Sequence, residues 1–350
     1  NVFYSITGTA LNGVDYATVS NFVRIPAGQS SVVIAVNALP DDLEENDETV
    51  VLTISPNFPV YNVSNNNSAT VTIGEVPLPA EEVARFGKSV GPTKIEVADA
   101  FGNAFEFSLS GDGVGIVLRE ADGRLSLQFT NTTDRSNVTI KNRAGGDGKL
   151  NNLTSEGPLK KVSARDVGFL GDIIVEGLVG SFSAGDGDDQ HRIEFGESSN
   201  EKPIKATFES LTDVTMTSGA PLDLTVTRWM DSDHDENPDS VTAPYMKQIR
   251  VKGDRRQNIP ALWEADVILS GEGTTRDTLG RFSADEIREV AFDISGDVGG
   301  ISVKGPVSDS TFNVASEVKK FQADGQVTDV TLNFDEFGSI RVASWLRGTL

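Results

Sequence analysis

The chain has no cysteine and only two histidines, His191 and His234, among its 350 residues. Disulfide staples and thiolate metal centres are excluded, and imidazole-rich metal sites or His-based triads have almost nothing to build from. Positive charge is also scarce: 30 Lys and Arg stand against 52 Asp and Glu, a net charge of −22. Such a chain repels nucleic-acid phosphates and anionic membrane surfaces, so no nucleic-acid partner is expected. No apolar run approaches a membrane span, so no membrane insertion is expected either. No signal peptide, nucleophile elbow, Walker-type phosphate loop or dinucleotide fingerprint occurs. Hard, oxygen-ligated cations are what remain.

What the chain does have is 34 Gly together with abundant Val, Ile, Thr and Ser, the makings of many short strands punctuated by turns. Hydrophobic residues make up 38% and charged residues 23%, which suits a globular chain. No long capped amphipathic helix is present, and the expected fold class is all-β.

The densest feature is ALPDDLEENDETVVLTI (38–54), which packs Asp41, Asp42, Glu44, Glu45, Asp47 and Glu48 into one turn ahead of an apolar strand. Carboxylates that close repel one another unless solvent or a hard cation screens them, and calcium takes six to eight such oxygens. A solvated acidic hairpin loop is the bland alternative. Around it lie NVFYSITGTAL, a turn at Asn12 and Gly13, NFVRIPAG, SVVIAVNAL and SATVTIGE, alternating with period two as strands of a β-sandwich do. The order and spacing of GTALNGVDY (8–16), RIPAGQSS (24–31), DDLEENDETVVLTI (41–54) and SATVTIGE (68–75) resemble the Calx-β domain. The resemblance covers residues 1–76. It implies an immunoglobulin-like sandwich and, at one end, calcium held by Asp15, Asp41, Glu45 and Glu48. The chain departs from the calcium-binding pattern after its last strand, where Gly74, Glu75, Val76 and Pro77 replace an aspartate run. It also enters mid-strand, so the sequence reads as a fragment of something longer.

Pro77 and Pro79 break the last strand, and residues 77–86 read as a linker with a helical turn at Glu81 to Phe86. From 87 to 350 a degenerate repeat emerges: KKVSARD, GSFSAGD, KQIRVKG, GGISVKG, KKFQADG and GSIRVAS align on Val162, Phe182, Ile249, Ile301, Phe321 and Ile340. A step near twenty residues is the length of one coil of a parallel β-solenoid, whose coils bury Val, Ile or Phe and stack on one another. Further antiparallel sandwich domains would also give short alternating strands; the solenoid is preferred. This Gly-rich texture resembles tail regions of large planctomycete-type bacterial surface proteins, which implies an extracellular or cell-surface setting.

A second acidic loop, DSDHDENPD, places Asp231, Asp233 and Asp235 at alternate positions with Asp239 beyond, like the opening of a calcium loop. It departs from an EF-hand at Glu236 and Thr242, and a solvated loop is the competing reading. GDGDD (185–189) occurs once and reads as a flexible turn. Trp229, Trp263 and Trp345 read as core, with sugar stacking as the alternative. The expectation is a non-enzymatic, calcium-binding structural or adhesive module. Its partners would be neighbouring modules, copies of itself or a surface polysaccharide. A polysaccharide lyase or hydrolase, or a glycan-binding module, on a β-helix is the alternative.

Overall fold

The structure, a computed structural model, describes all residues except 40–47, 59, 74–79, 144–147, 189–190, 198–201, 234–238, 255, 273–275 and 350. The described residues are all β, with no helix among them. The chain divides into two compact units, Asn1–Pro79 and Ala80–Leu350.

In the first unit, β1 (Val2–Gly8), β2 (Phe22–Val23), β3 (Glu48–Ile54) and β4 (Ser68–Ile73) form one antiparallel sheet in the order β2-β1-β3-β4. Its core is small, built on Ala10, Tyr16 and Val50 with Ile6, Val36, Leu52 and Ile73 around them. The segment SVVIAVNAL, expected as a strand, joins no sheet beyond a single bridge from Ala38 to Tyr16, and Val33 is 89% exposed. Among the described residues no second sheet faces the first. Alternation in the sequence marks extended chain, but without a partner strand it makes no ladder.

The second unit opens with antiparallel strands: β5 (Glu81–Phe86), β6 (Lys94–Ala98), β7 (Ala104–Ser110), β8 (Val114–Arg119), β9 (Leu125–Thr130) and β10 (Asn137–Asn142). The expected helical turn at Glu81 to Phe86 is thus a strand, laid against β8 from Glu81↔Arg119 to Phe86↔Gly115, with Phe86 fully buried. Parallel stacking starts only where β10 meets Lys161–Ala164 and β9 meets Leu153–Ser155. The repeat therefore begins about fifty residues later than residue 87, and the hairpins cover the first coil. Covering is required, because an open end would present unpaired backbone and the apolar inside of a coil.

Beyond the cap, each coil contributes three short strands to three parallel faces. The first face stacks Val138, Val162, Phe182, Ala206, Leu224, Ile249, Phe282, Ile301, Phe321 and Ile340 in one inward column. The second runs Leu211, Trp229, Trp263, Ile287, Val307, Val327, Trp345. The third runs Leu127, Leu153, Ile173, Ile193, Met216, Val241, Val267, Phe292, Phe312, Leu332. All six residues aligned in the sequence repeat lie in the first column. Each fully buried Val, Leu, Ile or Phe contributes about 1.5–3 kcal/mol relative to exposure, which is why the columns are uniformly apolar.

Aromatic rings join the columns. Trp229, Trp263, Phe282, Phe292, Phe312 and Phe321 follow one another at centroid distances of 5.1, 5.5, 5.2, 4.7 and 5.4 Å. Outside the third face, the Asn333 amide donates to Asn313 and the Asn313 amide to Asp293, each at 2.7 Å. Between the second and third faces the chain turns through a left-handed residue: Asp213 (φ 55°), Glu289 (56°), Asp309 (50°) and Asp329 (54°). Of GDGDD, residues 185–188 are likewise part of a coil. Gly187 bridges Phe169 and Leu211, and an added Cβ would meet Leu211 and His191 at 2.9–3.0 Å.

Candidate cation site

Asp213 and Asp231 sit at the same corner of two successive coils, one residue past the Thr212↔Met230 pair. Stacking puts two carboxylates one strand spacing apart, and Asp233 joins them: one oxygen of each lies within 4.8 Å of the others. Asp213 and Asp231 are half-buried and Asp233 is exposed. Ser232 ties the two coils together, its N–H donating to Asp213 Oδ1 (2.7 Å) and its hydroxyl to Oδ2 (2.6 Å). The donors are all oxygen, and one side is open to water, a set that suits a hard divalent cation and offers nothing to a soft one.

Asp239 stands behind this group and plays a different part. It is 6% exposed, and its Oδ2 accepts a 2.9 Å hydrogen bond from the indole Nε1 of Trp229, itself fully buried. Burial pushes its carboxyl up to about 7, and the nearby charges of Asp231 and Asp213 push the same way, against the Trp229 hydrogen bond. The neighbouring carboxyl of Asp266 is also raised, chiefly by burial.

Of the other expected ligands, Asp41, Glu45 and Asp235 lie outside the described residues. Glu48 heads β3, opposite Ile73. Asp15 is buried, and its carboxylate accepts from the Leu11 N–H, closing the turn before it. Among the described residues, no group of three carboxylates includes Asp15 or Glu48.

Asp213 was not singled out in the sequence, yet a signal was there. Leu211-Thr212-Asp213-Val214, Ile287-Arg288-Glu289-Val290, Val307-Ser308-Asp309-Ser310 and Val327-Thr328-Asp329-Val330 share one pattern, an acidic residue two beyond the second-face position. Trp229-Met230-Asp231 repeats it, and the sequence spacing to the next third-face residue, Val241, is longer here than in the other coils.

His191 is 3% exposed, with Nδ1 2.8 Å from the Asp188 carbonyl oxygen. His234 lies outside the described residues. Trp263 is fully buried, its Nε1 donating to the Ala265 carbonyl at 2.6 Å, and Trp345 is half-buried on the second face. No family model matches the chain, and no curated protein and no solved structure matches it. Among the described residues no helix is long and apolar enough to cross a membrane.

Proposed function

We propose that the chain is a structural, non-enzymatic part of a larger extracellular or cell-surface protein: a Calx-β-like unit followed by a stiff β-solenoid spacer. The observation that carries the reading is the unbroken stacking of the first-face column from Val138 to Ile340. At about 4.8 Å per strand spacing this makes a rod roughly 40 Å long, filled by side chains throughout. A filled rod resists bending and transmits tension through parallel ladders.

Calcium is the ion we assign to Asp213, Asp231 and Asp233, with Ser232 and water able to complete the shell. The oxygen-only donor set and the mutual repulsion of three carboxylates support that choice. Bound there, the ion would lock two successive coils at the corner where a loop interrupts the repeat. Thermal unfolding of the whole chain with calcium and with chelator tests the reading. The transition of the second unit should rise with calcium and the Asp231→Asn variant should lose that rise. Incubation with acidic and neutral polysaccharides should release no new reducing ends. Such release would replace the structural reading with a polysaccharide lyase or hydrolase.

A further inference from the structure

In a chain of net charge −22, one face gathers cations. Two adjoining pockets, of about 590 and 300 Å³, share Arg250, Ser283 and Ser302 on the outside of the first face. Between them they are lined by Arg250, Lys252, Arg281, Lys304, Lys319 and Lys320 against one carboxylate, Asp277. Lys319 pairs with Asp277, and Lys304 pairs with Asp285. Arg250, Lys252, Arg281 and Lys320 make no ion pair with described residues. Arg250 donates from Nη2 to the amide oxygen of Gln248 at 3.1 Å, a neutral partner that leaves its charge unbalanced by any described carboxylate.

The stack explains why a pocket forms. Arg281, Gly300 and Lys320 occupy one corner position in three successive coils, each just ahead of the paired Phe282, Ile301 and Phe321. The middle coil offers Gly299-Gly300, so the wall of long cationic side chains is interrupted by a bare floor. Packing demands glycine at 299, where a Cβ would fall 2.3 Å from the Gly280 carbonyl oxygen. It makes no such demand at 300, where the nearest atoms stand at 3.7 Å. A Cβ at 300 would rest in ordinary van der Waals contact with Lys320, so the gap between the two cations comes from the missing side chain and not from a clash that forbids one.

We infer that this face binds an acidic polysaccharide, its carboxylate or sulfate groups seated between Arg281 and Lys320. The charge of the pocket calls for an anion. The outward column Arg250, Ser283, Ser302, Gln322, Arg341 offers hydroxyl, amide and guanidinium groups at every coil, matching a chain of hydroxyls with recurrent charges. Among the described residues no aromatic side chain lines either pocket, so nucleobases find no stacking partner there. This inference goes beyond the structural role and does not rest on it.

The test is binding of the whole chain to oligogalacturonate, sulfated dextran, uncharged dextran and single-stranded DNA, in low salt with a chelator so that bridging cations contribute nothing. At least one of the two acidic glycans should bind, and which one does distinguishes carboxylate from sulfate. Binding should vanish near 1 M salt, where the screening length falls to about 3 Å. The double variant Arg281→Glu, Lys320→Glu should lose at least about tenfold in affinity by charge reversal. Gly300→Leu should lose it by filling the pocket while leaving the melting temperature unchanged. Lys88→Glu, an exposed cation of the hairpin cap, should bind as the parent does. No acidic-glycan binding, equal binding of uncharged dextran or DNA, or equal loss in Lys88→Glu would each overturn the inference.

Discussion

The indole Nε1 of Trp229 donates a 2.9 Å hydrogen bond to the carboxylate of Asp239, both side chains being buried. One bond thus anchors the loop insertion to the interior, and it leaves a carboxyl in a place that disfavours its charge. With its pKa raised from 3.8 to about 7, Asp239 adds stability that is fully present below about pH 4 and lost as pH rises through about 7. Asp239→Asn keeps an oxygen acceptor for the indole and removes the charge. The variant should melt a few degrees higher than the parent at pH 8 and about equally at pH 4. A lower melting temperature at pH 8 would show that the ionised form is the one the fold prefers.

Calcium at Asp213, Asp231 and Asp233 would place two positive charges beside Asp239 and draw its proton off. Calorimetric titration near pH 7 in two buffers of different ionisation enthalpy should therefore show proton release on binding. Asp213→Asn should weaken binding at least as much as the ~10–100-fold that loss of an outer-shell partner costs a metal site. Heatless titrations in both buffers would leave the cluster as ordinary acidic surface.

Within the hairpin cap one carboxylate gathers three cations. Glu106 is buried on β7 and meets Lys94 of β6 at 2.7 Å, Lys141 of β10 at 3.6 Å and Arg143 just beyond. Hydrogen bonds from Lys94, then Arg143, hold its carboxyl down at about 2. Its stabilising contribution is present above about pH 4.5 and is lost as pH falls toward about 2. Glu106→Gln should expose β6, β7 and β10 to hydrogen exchange while coils beyond Lys161 stay protected. Uniform loss of protection along the stack would mean cap and coils unfold as one.

Phe292 lies midway in the run of rings, 5.2 Å from Phe282 and 4.7 Å from Phe312. Phe292→Ala should cost about 3–5 kcal/mol, the usual range for emptying a buried aromatic position. In a stack held by nearest-neighbour contacts the damage should centre on the coils from Val267 to Leu332. Equal exchange at Ile173 and Phe312 would contradict that locality.

Much of the second unit was legible. Six of the ten first-face residues announced themselves through a recurring motif. The gaps at 182–249 and 249–301 hid three of the others, because Ala206 is small, Leu224 lacks the flanking Gly and Lys signature, and Phe282 follows a longer spacing; the fourth, Val138, precedes the first repeat motif. The cap was not legible, since antiparallel and parallel strands share the same alternation and differ only in pairing. Asp231, Asp233 and the burial of Trp229 could be read from spacing and flanking polarity. Asp213 could not be read that way, because it reaches the group by stacking from the preceding coil. The bond from Trp229 to Asp239 has no signature in the sequence, because it spans ten residues across the insertion.

The contact of Trp229 with Trp263 also bears on how coils find the right neighbour. A solenoid of near-identical coils risks docking one turn out of step, since most columns would still match Val with Ile. Here a slipped docking would set Trp263 against Leu211, or Trp229 against Ile287, leaving a void at one level and crowding at the next. The two indoles, 5.1 Å and 65° apart, should therefore disfavour a slipped alignment. Their coupled near-ultraviolet circular dichroism would then report whether the chain has folded in step.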